Sequence, residues 1–341
     1  MSNDQEKNNA KGYLFLFFGI FLWSTIEITL TLVKNENTTP IIINTFRMLI
    51  GGLTLLFFIV VSGRLNQFKA FLKTYPKYYV PAAIIGLVLG QIIYINGTQL
   101  TEPQLAATIF SSNPIIISLY MMLFRGEERT SQKIVGIIIG FFGVLLIITE
   151  LKFGALLQEG YLLGNVLVFV GMSLWTVDVI LGKLLFNKDQ ERLAKIEKKI
   201  QNNSETKNKN QQVQMHKYQF DSLDFNAITF LLAGIFMLPF LGVKGEIQTL
   251  QKTTSAGWWG IVWLGVFTGG LGYLLFFKGL QNIEASKGIN AFYFKPIFAT
   301  ILSFLIFQNV PSGIFYVGLV IEIGALVLVS RKTKKGKTKK I

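Results

Sequence analysis

The chain has 341 residues, of which 51% are hydrophobic, 13% aromatic and only 15% charged. Soluble domains carry about 25% charged residues, so this composition excludes an ordinary water-soluble protein and indicates an integral membrane protein. The formal net charge is +14. The basic residues cluster between the apolar segments, which makes membrane topology, and not binding to nucleic acid, the expected cause of that charge.

Ten apolar segments are long enough to cross a membrane. A hydrocarbon core of roughly 30 Å requires about 20 helical residues at 1.5 Å of rise each. The predicted spans are 12–33, 40–62, 79–97, 103–124, 132–149, 161–184, 223–243, 257–279, 285–306 and 313–330. The first span is too long for a signal-peptide core and no small-residue cleavage site follows it, so we expect it to stay in the mature protein.

The sequence contains the same apolar unit twice. Between residues 90 and 136, characteristic residues recur 182 positions later without a gap. The matching pairs are Gly90/Gly272, Gly97/Gly279, Glu102/Glu284, Pro114/Pro296 and Gly136/Gly318. Earlier pairs such as Trp23/Trp175 keep an offset of 152, so the second copy carries an insertion between these two regions.

The predicted insertion is the polar segment 187–222. Its composition buries too little apolar surface to offset the entropy of ordering, so we expect a flexible cytoplasmic segment. The spacing of Leu193, Ile196 and Ile200 is also compatible with a short helix at the lipid surface.

Basic residues predict the orientation, because Lys and Arg in short loops resist translocation. With a cytoplasmic N-terminus, 27 of the 33 basic residues fall on the cytoplasmic side. Lys34, Lys152, Lys244 and Lys252 fall on the opposite side, and Arg47 and Lys295 lie within spans. We therefore expect a multi-pass protein of the plasma membrane with both termini cytoplasmic.

Each copy contributes five spans, and this odd number places the second copy in the opposite orientation. Inverted repeats are typical of transporters that bind substrate near the bilayer midplane and open alternately to either side. We expect an all-α membrane protein with ten transmembrane helices, arranged as two inverted five-helix repeats around a central cavity. The predicted domains are a cytoplasmic tail (1–11), a first repeat (12–149), a second repeat (161–330) that contains the insert, and a basic cytoplasmic tail (331–341).

The repeated unit resembles the EamA repeat of the drug/metabolite transporter superfamily. The first copy carries the resemblance in Trp23, Arg47, residues 106–114, Glu127 or Glu128, Gln132, Gly136 and Gly143. The second copy carries it in Trp175, residues 286–296, Gly318 and Gly324. The resemblance implies a cavity lined mainly by helices one, three, four, six, eight and nine, and export or exchange of small organic metabolites, often amino acids or amines. The second copy departs from the first with Asn309 and Val310 in place of the Glu127 and Glu128 pair, and with Glu322 in place of Gly140.

Five ionisable residues lie inside predicted spans and away from the span ends, where each costs several kcal/mol in lipid and usually faces a cavity or a partner. They are Glu27, Arg47, Asp178, Lys295 and Glu322. Glu27 and Arg47 lie at matching depth. This predicts a structural ion pair, with substrate binding by Glu27 as the equal alternative.

Asp178 occupies nearly the repeat-related place of Glu27. Two such carboxylates, one in each half of the bilayer, can attract an amine from either side or take up a proton, since burial disfavours the charged form. The alternative for Asp178 is a side chain that extends to the cytoplasmic interface.

Lys295 replaces Asn113 of the first copy and directly precedes Pro296. Proline frees a backbone carbonyl one turn earlier, so this step can present an ammonium group and backbone to a bound carboxylate. The alternative is an internal pair with Glu322. We favour a cavity-facing Lys295, because the resemblance places the tenth helix at the periphery.

Aromatic and amide side chains complete the predicted substrate site. The aromatic candidates, which suit organic cations or otherwise serve ordinary membrane packing, are Trp23, Trp175, Tyr94, Phe292 and Tyr293. The amide candidates, which would lose hydrogen bonds if they faced lipid, are Gln91, Asn96, Asn113 and Asn290. Glycines such as Gly86 and Gly90 are expected to allow close helix contact.

The sequence predicts no enzyme, no metal site and no cofactor. The chain has no cysteine, and its one histidine, His216, lies in the polar insert. We predict a secondary transporter, an exporter or exchanger of small polar or zwitterionic metabolites such as amino acids or amines, with proton coupling as one option. The alternatives are a carrier of larger anionic metabolites, and a membrane sensor or scaffold that uses the insert as a partner site without transporting anything.

Overall fold

The computed structural model describes residues 2–124, 130–149, 151, 161–202, 222–243, 245–282 and 294–330. These ranges are almost entirely helical and contain no strand. Contacts divide the chain into two compact units. The first unit comprises residues 1–28, 97–169 and 278–341, and the second comprises residues 29–96 and 170–277.

The α-helices before residue 150 are α1 (Ser2–Leu32), α2 (Pro40–Val61), α3 (Leu65–Thr74), α4 (Pro76–Pro81), α5 (Gln91–Thr98), α6 (Pro103–Ser111), α7 (Asn113–Phe124) and α8 (Ser131–Thr149). The later ones are α9 (Tyr161–Asn202), α10 (Ser222–Met237), α11 (Glu246–Lys252), α12 (Ser255–Val262), α13 (Tyr273–Asn282), α14 (Phe294–Phe307) and α15 (Gly313–Ser330).

Eight helical runs within the described ranges are long and apolar enough to cross a membrane. They are Ala10–Asn35, Pro40–Val61, Pro76–Thr98, Pro103–Phe124, Ser131–Thr149, Leu162–Lys195, Ser222–Gly242 and Ser255–Gly279. Two shorter apolar helices, Phe294–Phe307 and Gly313–Leu328, follow where the ninth and tenth spans are predicted. The chain is therefore a multi-pass membrane protein, while the count of ten spans stays a prediction.

Two spans contain a π-helix, which the sequence did not predict. The first π-helix covers Ala82–Gly90 and the second covers Trp263–Gly272. They end at Gly90 and Gly272, the pair related by the offset of 182. The wider turn of a π-helix is rare and frequently marks a functional site. Both π-helices lie in the second unit.

The helix of the sixth span is longer than predicted. The sequence placed the end of this span at residue 184, but α9 continues to Asn202. Residues 187–202 are therefore helical, in agreement with the alternative of a helix through Leu193, Ile196 and Ile200 and not with a flexible segment, and residues 203–221 lie outside the described ranges. Packing explains the extension, because Leu185 is buried against Phe71 and Tyr79 from α3 and α4.

Close helix contact holds the first unit together along α8 and α15. A Cβ atom at Gly143 would lie 3.0 Å from the backbone nitrogen of Glu322, and one at Gly318 would lie 2.6 Å from Cγ1 of Ile147. Side chains at these positions would push the helices apart. Small residues of this kind let transmembrane helices approach closely and gain dispersion contacts.

Candidate functional site

A buried ion pair joins α1 to α14 in the first unit. The Nζ atom of Lys295 donates a hydrogen bond to Oε1 of Glu27 over 2.6 Å. Glu27 is fully buried and Lys295 is 1% exposed. Charges removed from water to this extent remain stable only when they are paired, so the two residues form one electrostatic unit.

An aromatic ring lies beneath the ammonium group of this pair. The Nζ atom of Lys295 is 4.2 Å from the ring centroid of Phe110, which α6 places in the same unit. At this distance the face of the ring attracts a cation. Phe110 was not among the predicted residues, although the offset of 182 relates it to Phe292, which was.

Lys295 and Pro296 lie at the start of the described part of α14, which covers Phe294–Phe307. The carbonyl that Pro296 was predicted to free lies one turn earlier, outside the described residues.

The alternative pairing of Lys295 with Glu322 is wrong. Glu322 is 1% exposed, and neither of its carboxylate oxygens has a hydrogen-bond partner among the described residues. The acidic partner of Lys295 is Glu27 instead.

The second unit contains a separate polar cluster around the first π-helix. From α2, Arg47 donates a hydrogen bond to Oε1 of Gln91 over 2.8 Å. One helical turn earlier, Asn44 donates to the backbone oxygen of Leu87 within the π-helix over 2.9 Å. Both contacts tie α2 to the third span.

Asp178 also lies against this π-helix. A Cβ atom at Gly86 would be 2.8 Å from Cβ of Asp178, so only glycine permits this approach. Asp178 is 3% exposed, and its Oδ1 has no hydrogen-bond partner among the described residues. The side chain is therefore buried, and the alternative in which it extends to the cytoplasmic interface is wrong.

Trp175 and Tyr273 complete the cluster. Both belong to the second unit, where Tyr273 lies close to Trp175, Asp178 and Arg47. Tyr273 was not predicted, yet the repeat signal could have found it, because the offset of 182 relates Tyr273 to Gln91. We refer to Asn44, Arg47, Gln91, Trp175, Asp178 and Tyr273 as the second polar cluster.

The remaining candidates have different placements. Trp23 and Asn113 are buried in the first unit, and Tyr94 is buried in the second. Asn96 is exposed and donates a hydrogen bond to the backbone of its own helix, so it does not belong to the second polar cluster. Asn290, Phe292 and Tyr293 lie outside the described residues.

The predicted ion pair of Glu27 with Arg47 stays a prediction. The two residues belong to different units, and each has a polar partner within its own unit, namely Lys295 and Gln91.

A metal centre is not formed by the residues that the structure describes. Within them, no group of three or more His, Cys, Asp or Glu side chains is arranged to hold an ion. The described residues instead form one ion pair, between Lys295 and Glu27, and present one buried carboxylate, that of Asp178, beside aromatic rings.

Both repeats of the chain match one known protein family. Residues 10–149 and 212–331 each match the model of the EamA-like transporter family. The chain belongs to this family. It is therefore a membrane transporter of the drug/metabolite transporter superfamily with a small-molecule substrate, and not an enzyme.

Sequence similarity to related proteins covers most of the chain. The uncharacterized transporter YvbV of Bacillus subtilis is 23% identical, with 95% of this chain and 93% of the relative covered. The uncharacterized transporter YyaM of the same organism is 22% identical over 78% of this chain and 79% of its own length. A solved protein structure shares the fold, with a TM-score of 0.61 and 16% identity over 94% of this chain and 97% of that one.

Proposed function

We propose that this protein is a secondary transporter, an exporter or exchanger, of small zwitterionic metabolites such as amino acids, or of related polar amines. The observation that carries the proposal is the buried pair of Glu27 and Lys295. An amino acid carries the same two charged groups at similar separation, so each group of the pair has a complementary group on such a substrate.

The pair fits a substrate that must be bound and then released. In the proposed bound state, the ammonium of Lys295 contacts the substrate carboxylate and the carboxylate of Glu27 contacts the substrate amine. The ions of the protein are already paired before binding. Binding therefore exchanges one ion pair for two and leaves no buried charge alone, which avoids the main penalty for burying ions. Phe110 continues to support the ammonium from below.

Asp178 is the second acidic group in this proposal. It is buried in the second polar cluster, close to the indole of Trp175 one helical turn away on α9. A carboxylate beside aromatic faces attracts an amine, and its unpartnered Oδ1 is suited to hold a proton. We therefore assign to Asp178 the amine of the substrate or a coupling proton.

We further propose transport by alternating access through two inverted repeats, with ten spans and a central cavity. The offsets of 182 and 152 support the duplication, and the two π-helices at repeat-related positions agree with it. The proposed domains are those predicted from the sequence, 12–149 and 161–330. The distribution of basic residues supports a plasma-membrane protein with cytoplasmic termini.

The structure weighs against a carrier of larger anions. Such a substrate requires unneutralised cations, but Glu27 neutralises Lys295. A sensor or scaffold would bind ligands without moving them.

Transport by reconstituted protein tests the proposal. A panel of amino acids, amines and phosphorylated acids is first screened by thermal shift, and flux of the stabilising compounds is then measured in proteoliposomes. The double variant Glu27→Gln/Lys295→Met, which removes both charges together, should abolish flux and substrate-induced stabilisation. Glu322→Gln is the control, since it removes a buried carboxylate of the same unit that is outside the pair.

Two results would contradict the proposal. Unchanged flux in the double variant would remove the pair from the substrate site. Ligand binding without any flux in the native protein would favour the sensor.

A further inference from the structure

Two lysines approach the same aromatic ring where the third and sixth spans leave the membrane. The Nζ atom of Lys77, on α4, is 5.5 Å from the ring centroid of Tyr78. The Nζ atom of Lys188, on α9, is 5.9 Å from that centroid. Both ammonium groups thus contact the same ring, and an ammonium group can only donate hydrogen bonds.

This arrangement places two like charges together without an acid between them. In the described part of the chain, neither Lys77 nor Lys188 has a carboxylate within 4.0 Å. Both side chains are exposed. Like charges brought together from different helices repel each other. A bound anion would remove this repulsion between the two ammonium groups.

Packing beneath the lysines fixes their helices in place. Tyr75, Tyr79 and Leu185 belong to one buried cluster that joins α3 and α4 to α9. The hydroxyl of Tyr75 donates to Oδ1 of Asp189 over 2.6 Å. The contact of α4 with α9 therefore results from buried packing, and not from the two surface side chains alone.

A third basic side chain lies near the two lysines. Arg192 lies one turn after Lys188 on α9 and donates to the hydroxyl of Tyr75 over 3.1 Å. Its guanidinium is 3.9 Å from Asp189, the acid buried in this cluster. Asp189 thus faces Arg192 and Tyr75, and does not pair with Lys77 or Lys188.

We propose that Lys77 and Lys188 form a binding site for a phosphate group, carried by an anionic phospholipid or present as free phosphate. An oxygen of the phosphate accepts hydrogen bonds from both ammonium groups, which replaces their repulsion by two charge-assisted contacts. The site is separate from the proposed substrate pair and does not depend on the transported molecule.

The position of the site agrees with the depth of lipid headgroups. Lys77 is the second residue of the span Pro76–Thr98. Lys188 lies well beyond the roughly 20 residues that a helix starting at Leu162 needs to cross the hydrocarbon core. Basic side chains at this depth attract anionic headgroups.

Thermal unfolding of the full-length protein in detergent tests the site. Phosphatidylglycerol is compared with phosphatidylcholine, and inorganic phosphate with chloride at equal ionic strength. A ligand that binds only the folded state raises the unfolding temperature. At least one of the two phosphate sources should stabilise the native protein, whereas Lys77→Gln/Lys188→Gln should lose most of that shift. Each single substitution should also lose the larger part of the rise in unfolding temperature, because both ammonium groups contact one phosphate.

The matched control is Lys69→Gln/Lys73→Gln. These lysines are also exposed and belong to the adjacent helix α3, so the control removes the same charge without touching the site. It should keep the shift. Without ligand, the site variant should unfold at a temperature no lower than the native protein, because the substitution relieves repulsion.

Several results would overturn the site. These are the absence of a shift in the native protein with both phosphate sources, an equal shift in the site variant, and equal losses in the site and control variants. The last would indicate general attraction to the basic surface. A shift with phosphatidylglycerol alone would identify the lipid as the source, and a shift with inorganic phosphate that displaces the lipid would identify the free ion.

Discussion

Lys295 and Glu27 are 268 residues apart in the sequence, yet Nζ of one lies 2.6 Å from Oε1 of the other. Both side chains are buried. Removal of either charge takes a charged partner from the other while it stays buried, so the effects on stability and on function can be separated only when both residues are changed.

The first prediction concerns the coupling of the two residues. Lys295→Met should lower the free energy of unfolding by about 3–5 kcal/mol, because the carboxylate of Glu27 stays buried and loses the ammonium group bonded to its Oε1. The double variant Glu27→Gln/Lys295→Met should recover most of this loss. Denaturation in detergent measures both values. Additive losses in a double-mutant cycle would show that the two charges do not interact.

The second prediction concerns Asp178, whose buried Oδ1 has no hydrogen-bond partner among the described residues. Asp178→Asn should keep or raise the unfolding temperature, since a neutral amide is easier to bury than a carboxylate. Substrate flux in proteoliposomes should fall.

Asp224→Asn is the matched control for this substitution. Asp224 is equally buried, but Arg64 donates to its Oδ2 over 2.8 Å. The same change should therefore lower the unfolding temperature at this position. A loss of stability in Asp178→Asn as large as that in Asp224→Asn would indicate a structural role for Asp178.

The third prediction concerns the contact of α9 with α5. A Cβ atom at Gly171 would lie 2.5 Å from the backbone nitrogen of Tyr94, and backbone cannot move aside easily. Gly171→Ala should therefore destabilise the protein and shift the position of Tyr94. Gly324→Ala is the control, because no described residue lies within 4 Å of its added Cβ and α15 should gain about 1 kcal/mol of helix propensity. Equal effects in a thermal unfolding assay would argue against this close contact.

The fourth prediction concerns Tyr75. Burial, followed by the hydrogen bond to Asp189, raises the pKa of Tyr75 above its ordinary value, so its hydroxyl remains a donor at neutral pH. Tyr75→Phe should cost about 1–2 kcal/mol, because the buried Asp189 loses this donor but keeps Arg192 nearby.

The pH dependence of this effect has a definite sign. The folded-state pKa of Tyr75 is raised, so the contribution of its hydroxyl is fully present below the unfolded value of about 10 and is lost as the pH rises through the folded value. The difference in unfolding free energy between native protein and Tyr75→Phe should therefore shrink in alkaline buffer. A difference that is constant from pH 7 to 11 would contradict this assignment.

Local patterns in the sequence predicted the spans better than the contacts between them. Apolar length located the spans because the bilayer imposes that length on each helix separately. The pairing of Glu27 with Lys295 was not predicted, since depth alone cannot decide between Arg47 and Lys295 as the partner of Glu27.

Features that depend on packing were also missed. No residue pattern distinguishes the π-helices from α-helices, because their wider turns are stabilised by neighbours such as Asn44 on Leu87. The polar composition after residue 186 predicted a flexible segment, but Asp189 continues the helix through its bond to Tyr75, which is 114 residues away in the sequence. Tyr273 could have been found from its repeat-related partner Gln91.

The uninterrupted course of α9 has a practical consequence for imaging. Its 42 residues correspond to about 63 Å at 1.5 Å of rise each, roughly twice the hydrocarbon thickness of a bilayer. A soluble domain fused in helical register after Asn202 would thus be attached rigidly to the transmembrane helices. Such a fusion would supply the asymmetric mass outside the detergent micelle that particle alignment in electron cryomicroscopy requires.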